Sequence, residues 1–337
     1  MPDPYISVVI PVYNEEKNLE ELYRRLTAVL DGLGKPWEIL LTDDGSRDHS
    51  VALLRELHKR KPEQIRIIEF NGNFGQHMAI MAGFERVRGQ IVITMDADLQ
   101  NPPEEIPKLV AAMEKGHDVV NTHRLGRQDS RWRLWVSGLH NKIRAWMMPK
   151  LKMQDEGCML RAYSRRIVDL MASTGESTTF IPALALNYAT NPVEVGVAHE
   201  TRFAGESNYS LYKLIRYNFD LITGFSVFPL QVFTLIGIGV SVCSFLFVIF
   251  LLARRFVVGP EVEGVFTLFA ILFFLIGIVL MGLGIVGEYI GRIYQEVRKR
   301  PRFVIREVLE AGGSAERQNP ASSKESDIPE AVATETA

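Results

Sequence analysis

Three groups of acidic side chains in the first hundred residues have the types and spacing for chemistry on a nucleotide. Asn14, Glu15 and Glu16 follow the apolar run SVVIPVY, Asp43-Asp44-Gly45-Ser46 follow EILLT, and Asp96-Ala97-Asp98 follow QIVITM. A nucleotide sugar presents a base, a ribose with two hydroxyls and an anionic diphosphate. Carboxylates suit the hydroxyls but repel the diphosphate, a conflict that a divalent cation resolves by bridging carboxylate and phosphate oxygens. In an extended segment positions i and i+2 share a side, so Asp96 and Asp98 can face one ion. A lone D-x-D is a frequent chance pattern in turns. Three acidic groups at successive strand ends mean more, because sheet topology makes those ends converge. Competing nucleotide motifs are missing: no G-x-G-x-x-G follows the first run, and there is no G-K-[ST] loop.

The elements that must position these groups alternate in type. Residues 7–12 are a short apolar run that suits a buried strand, and further strands are expected at 38–42, 65–70, 90–95 and 117–121. Between them, residues 16–33 place Leu19, Leu22, Leu26, Val29 and Leu33 on one helical face, and further helices are expected near 51–59, 76–87 and 103–115. This alternation predicts an α/β domain with a doubly wound parallel sheet, whose ligand lies beyond the carboxyl ends of the strands.

Composition bounds the rest. A formal charge of -2 over 337 residues disfavours a nucleic-acid partner, which would call for a strongly basic surface. Two cysteines, Cys158 and Cys243, give neither a disulfide framework nor a zinc spacing, and Cys158 reads as a small buried residue. The seven histidines form no ligand cluster, and His77 reads as a helix-start residue. Residues 221–253 and 264–287 carry no charge, and each is long enough for a membrane helix, with spans expected at about 231–253 and 265–287. Basic residues flank the pair on one side: Lys213 and Arg216 before it, and Arg292, Arg298, Lys299, Arg300 and Arg302 after it. Arg254 and Arg255 in the connecting loop run against this bias. No signal peptide precedes Tyr5, so the N-terminal domain and both termini are expected in the cytosol. Trp132, Trp135 and Trp146 among lysines and arginines predict an interfacial helix at about 132–150. The expected order is therefore a catalytic domain over 1–210, a juxtamembrane segment over 211–228, the two spans, a cytosolic segment over 291–310 and a disordered tail over 311–337.

The motifs PVYNE, DDGS, DADLQNPPEEIP, DEGCMLRAY and RFAGESNYS, in this order before two apolar segments, resemble the polyprenyl-phosphate glycosyltransferases. These belong to the family-2, GT-A-type group that includes dolichol-phosphate mannose synthase. The likeness covers about 6–306 and is echoed in NFGQHMAIMAGF, STTFIPALA and GEYIGRIYQEVRKRPRF. It is nearest to members that load a formamido-pentose onto undecaprenyl phosphate at the bacterial inner membrane. The resemblance implies a GT-A-type fold, a UDP-sugar donor, a polyprenyl-phosphate acceptor, inversion at the anomeric carbon and a homo-oligomer, a tetramer by family likeness. It implies that Pro11, Tyr13, Glu15, Asp43 and Asp44 line the nucleotide site. Asp96 and Asp98 would hold Mg²⁺ or Mn²⁺ with Gln100 nearby, and Arg202 and Ser207 would clamp phosphate from a closing loop. Asp155 matches the position of a possible base, although a phosphate monoester with a second pKa near ~6 arrives already deprotonated. Positioning is the preferred role for Asp155. Arg124, Arg127 and Arg161 are the cations expected to meet the lipid phosphate. Other readings are a different donor sugar of glucose or mannose type, a processive polysaccharide synthase suggested by the Q-x-x-R-W at 128–132, and a non-catalytic membrane subunit. The Q-x-x-R-W precedes Asp155 rather than following it, and two spans are few for a polymer channel.

Overall fold

The computed structural model describes residues 3–125, 155, 157–174, 180–200, 228–258, 265–297 and 301–311. Strands β1 (Ile6–Val12), β2 (Trp37–Asp43), β3 (Ile65–Phe70), β4 (Ile91–Thr94) and β5 (Val119–Arg124) alternate with helices α1 (Leu19–Gly32), α2 (Ser50–Arg60), α3 (Gln76–Phe84) and α4 (Ile106–Glu114). Then follow β6 (Arg161–Ser164), α5 (Arg165–Ser173), α6 (Ile181–Tyr188) and β7 (Pro192–Val197). Two long helices, α7 (Phe228–Val258) and α8 (Val265–Val297), precede a last strand, β8 (Ile305–Leu309).

The eight strands form one sheet in the order β7-β5-β6-β4-β1-β2-β3-β8. It is mixed rather than wholly parallel: β6 runs antiparallel to β4 and β5, and β8 antiparallel to β3. Local alternation predicts the parallel βαβ units, but the direction of a four-residue strand such as β6 is set by its distant partners. Side chains of β1 divide between two cores as the two-residue period requires. Ile6, Val8, Ile10 and Val12 join the cluster under α1, α2 and α4, while Val9 joins the one under α3, α5 and α6. The result is a three-layer sandwich.

Within the segment expected over 291–310, β8 rejoins the catalytic sheet beside β3. It places Glu307 opposite Glu69, a like-charge pair that would be repulsive. Arg55 resolves this by donating to Glu69 at 2.7 and 2.9 Å and to Glu307 at 2.5 Å. Glu310 accepts from Arg66 and Arg88, each at 2.8 Å, and Arg302 reaches Glu85 at 3.2 Å. Arg66 also reaches buried Glu38 at 3.1 Å, whose other oxygen accepts from Ser7 Oγ at 2.6 Å.

Both long helices contain windows apolar enough to cross a bilayer, Leu230–Phe247 with mean hydropathy 2.1 and Phe274–Gly291 with 2.0. An 18-residue window spans about 27 Å at ~1.5 Å per residue, close to the hydrocarbon thickness. None of the first window and 6% of the second is buried in the protein, so these are not core helices of a soluble fold. Leu235, Phe245, Phe274 and Leu283 all present exposed side chains. Exposure of this kind needs an apolar surrounding, which points to membrane association. The helices run beyond the expected spans, the second as far as Val297. The expected interfacial helix at 132–150, the Q-x-x-R-W at 128–132 and the tail beyond residue 311 lie outside the described residues.

Candidate active site

Sheet order converts the scattered acidic motifs into one row. Along the carboxyl edge of the parallel strands lie Arg124 at β5, Asp155 before β6, Asp96 and Asp98 after β4, the 11–15 segment at β1, and Asp43 at β2. Connections run from β1 outward through β2 and β3, whereas β4 lies on the other side of β1. That reversal opens a crevice between β1 and β4, where ligands bind in open α/β sheets.

Two residues flanking the crevice hold left-handed backbone without being glycine: Asn14 at φ 56° and Leu99 at φ 60°. Such conformations cost ~1–3 kcal/mol and persist only where surrounding bonds impose them. At Asn14 the bonds are visible. Its backbone N–H donates to Ser46 Oγ at 3.0 Å and its Oδ1 accepts from the Arg47 N–H at 2.8 Å, tying the β1 end to the β2 end. At Leu99 the turn lets Asp98 Oδ1 accept the Gln100 N–H at 3.1 Å, which leaves Asp98 only 6% exposed. Asp96 accepts from Gln76 Nε2 at 2.5 Å, linking β4 to the start of α3.

Asp43 caps its own turn, accepting from the N–H groups of Gly45 and Ser46. Burial pushes its carboxyl above the usual range, against these hydrogen bonds. Asp44 ties two loops together. Its two oxygens accept the N–H groups of Phe74 and Gly75 at 2.6 and 2.9 Å, and it is 3% exposed, so it holds the β3–α3 loop against β2. Gly45 has φ +72°, and a Cβ there would stand 2.6 Å from the Gly72 carbonyl carbon, so the close approach of the two loops requires glycine. Pro11 and Glu15 are partly buried and Tyr13 is 43% exposed at the lip of the crevice. Glu15 accepts from Asn18 Nδ2.

At the other end of the row, residues 157–160 lie across β4 and β5. Thr94 Oγ1 donates to the Met159 carbonyl, Thr122 Oγ1 to the Leu160 carbonyl, and Cys158 Sγ to Asn101 Oδ1. Cys158 is buried, with its thiol pushed up by that burial, and is a packing residue. Asp155 accepts Arg124 Nε at 2.6 Å and Nη2 at 2.9 Å, a bidentate pair, and the Gly157 N–H at 3.1 Å. Burial alone would raise its pKa, but the Arg124 guanidinium and these hydrogen bonds prevail and hold it below the usual range. A carboxylate so held is a poor proton acceptor and a good anchor for Arg124.

Arg161 departs from expectation. It is fully buried, donating to the carbonyls of Cys158 and Asp155 and to Asn121 Oδ1. It braces the turn that presents Asp155 and is not placed to meet a lipid phosphate. His77, in the first turn of α3, packs edge-on against Phe180, and burial with Arg161 nearby lowers its pKa to about 4. Arg127, Arg202 and Ser207 lie outside the described residues. The chain leading to Arg202 is anchored at the site, since the Glu200 N–H donates to the Gln100 carbonyl at 2.9 Å. Arg25 also bridges Glu200 to Glu104. Gln76 and Asn101 escaped the sequence reading because their roles depend on pairings between distant segments.

Whether a divalent cation fits can be judged from the donor set. Asp96 and Asp98 supply hard carboxylate oxygens, and among the described residues no three His, Cys, Asp or Glu side chains gather into a closed cage. A Mg²⁺-type ion bound with a nucleotide needs only one or two carboxylates, taking its other ligands from phosphates and water. The pair fits that mode.

Residues 7–170 match the model of glycosyl transferase family 2. A protein of Pseudomonas aeruginosa named undecaprenyl-phosphate 4-deoxy-4-formamido-L-arabinose transferase is 49% identical over 93% of both chains. The chain belongs to this family. A relative of the same name from Edwardsiella ictaluri is 48% identical over 93% of this chain and 97% of its own length. The glycosyltransferase also has a distant likeness to glucosyl-3-phosphoglycerate synthase of Mycobacterium tuberculosis, crystallised with Mn²⁺ and UDP. The TM-score is 0.49 at 19% identity, over 65% of this chain and 76% of that one.

Proposed function

We propose that this glycosyltransferase moves 4-deoxy-4-formamido-L-arabinose from UDP to undecaprenyl phosphate, with inversion, at the cytosolic face of the bacterial inner membrane. The observation that carries the reading is near-half identity along almost the whole chain to enzymes of that name. The polar row along one sheet edge supports it. The product would serve lipid A modification and, through it, polymyxin resistance.

In this reading Asp43, Pro11, Tyr13 and Glu15 receive the uridine. Asp96 and Asp98 would hold Mg²⁺ or Mn²⁺ against the diphosphate with Gln100 beside them, and the bound ion would offset negative charge on the departing UDP. Arg202 and Ser207 close on the same phosphates. The acceptor is a phosphate monoester, largely dianionic at neutral pH, so the nucleophile needs no proton removed. What it needs is orientation beside another anion. Arg124, fixed by Asp155, supplies that positive charge, and Arg127 lies three residues further on. The dianion attacks the anomeric carbon, the bond to the diphosphate oxygen breaks, and the electron pair leaves with UDP. The two long helices keep the domain at the surface where the lipid phosphate resides, and family likeness adds a homotetramer.

The deciding experiment incubates purified protein in lipid with a panel of UDP sugars, undecaprenyl phosphate and Mn²⁺, following glycolipid by mass spectrometry. Formamido-pentose product is expected. Turnover of UDP-glucose with none of the formamido-pentose would overturn the donor assignment.

A further inference from the structure

The C-terminal strand does more than complete the sheet. Glu69 pairs with Glu307 and the next residue, Phe70, pairs with Ile305, so one step on β3 matches two on β8. The extra residue is Arg306. Such bulges at sheet edges bend a strand and re-aim the side chain of the unpaired residue. Here the re-aimed side chain lines a cavity of about 220 Å³ shared with Asp43, Ser46, Arg47, Gly72 and Asn73 at the carboxyl ends of β2 and β3. Neighbouring side chains of β8 are committed elsewhere: Glu307 to Arg55, and buried Ile305 to the α3-side core. Arg306 is exposed and makes no ion pair or side-chain hydrogen bond among the described residues.

We propose that Arg306 is a specificity residue for the base of the nucleotide donor, reading a uracil carbonyl oxygen beside Asp43. This rests on the UDP-sugar reading given above. Position along the row selects the base over the phosphates. With strands ~4.8 Å apart, β8 lies about 19 Å across the sheet from β4, whose aspartates would take the diphosphate. The part of the nucleotide that can reach the β2–β3–β8 end is therefore the base. The edge of uracil presents two carbonyl acceptors flanking one N–H donor, which matches a guanidinium and a carboxylate. Cytosine replaces one carbonyl by an amine, whose hydrogens would point at the guanidinium. Sites that hydrogen-bond one partner reject the analogue that leaves a donor facing a donor.

The test measures binding of UDP, CDP and inorganic diphosphate to the full-length protein in detergent by calorimetry, for wild type, Arg306→Ala and Arg306→Lys. In Arg306→Ala, UDP should bind roughly ten- to a hundredfold more weakly, as expected for a lost charged hydrogen bond. CDP and diphosphate should be little changed, so the preference for UDP over CDP collapses, and Arg306→Lys should recover part of it. The KM for the UDP sugar should rise in parallel while kcat and the melting temperature hold. Unchanged UDP affinity, an equal loss for UDP and CDP, or a loss for diphosphate would each overturn the assignment while leaving the donor reading intact. Asp43→Ala, run alongside, separates the two ideas: if wild type fails to bind UDP, or Asp43→Ala binds it undiminished, the donor reading itself fails.

Discussion

The bidentate contact between Arg124 and Asp155 gives the sharpest way to separate a positioning role from base catalysis. Replacing Asp155 by Asn keeps size and the acceptor for Gly157, but removes the charge that fixes the guanidinium at 2.6 and 2.9 Å. Each of the two charged hydrogen bonds contributes ~1.5–3 kcal/mol net, and the Arg124 side chain is 23% exposed, so water recovers part of the combined loss. A coupling of about 2–3 kcal/mol remains, which corresponds to roughly 30- to 150-fold in rate. Asp155→Asn and Arg124→Ala should each lower kcat/KM for the lipid phosphate by about that factor. The double variant should be scarcely worse than either single one, because both remove the same oriented cation. The assay is initial-rate glycolipid formation in nanodiscs across lipid-phosphate concentration and pH. In wild type and variants alike, the acid limb should follow the acceptor's second ionisation near pH ~6. Multiplicative losses, or an acid limb abolished only in Asp155→Asn, would refute the positioning argument and restore Asp155 as a base.

Further outcomes follow from the same row. Asp98→Asn and Asp96→Asn should each cut turnover by at least ~100-fold at fixed Mn²⁺, and chelation of wild type should do the same, reversibly; full activity after chelation would refute the metal assignment. Gly45→Ala should lower stability by more than ~1 kcal/mol, read as a shifted unfolding midpoint, because its φ of +72° and the 2.6 Å approach to Gly72 both exclude a side chain. His77, with its folded pKa lowered to about 4, stays neutral where an unfolded histidine would begin to protonate near ~6.5. Its contribution to stability is therefore complete above that pH and is lost as pH falls from there to about 4. His77→Phe should flatten the pH dependence of unfolding in that window.

How much of this was legible beforehand depended on whether the signal was local. Strands β1 and β4 carry apolar runs, and helix α1 carries a 3.6-residue period, so the alternation of strand and helix could be read directly. Their order placed the acidic motifs at strand ends, and Asp43, Asp96 and Asp98 lie on one edge as expected. Strands β6 and β8 carry no such signal. RAYS is four residues long, and IREVL follows a membrane-like helix, so each is a strand only by virtue of partners far away in sequence. The same distance hid the functions of individual residues. Arg161 has the chemistry for a ligand, yet the fold surrounds it with carbonyl groups and it serves as a brace. Arg306 shows the reverse, since only a bulge reveals where it is aimed.

The return of β8 to the sheet also orders events during biogenesis. Residues 305–310 leave the ribosome after both long helices, yet they pair with residues 67–70 and carry Glu307 and Glu310, which neutralise Arg55, Arg66 and Arg88. Until then β3 is a bare edge, open to mispairing. The sheet is therefore complete only once both long helices have been made, which ties the last step of its folding to the end of synthesis.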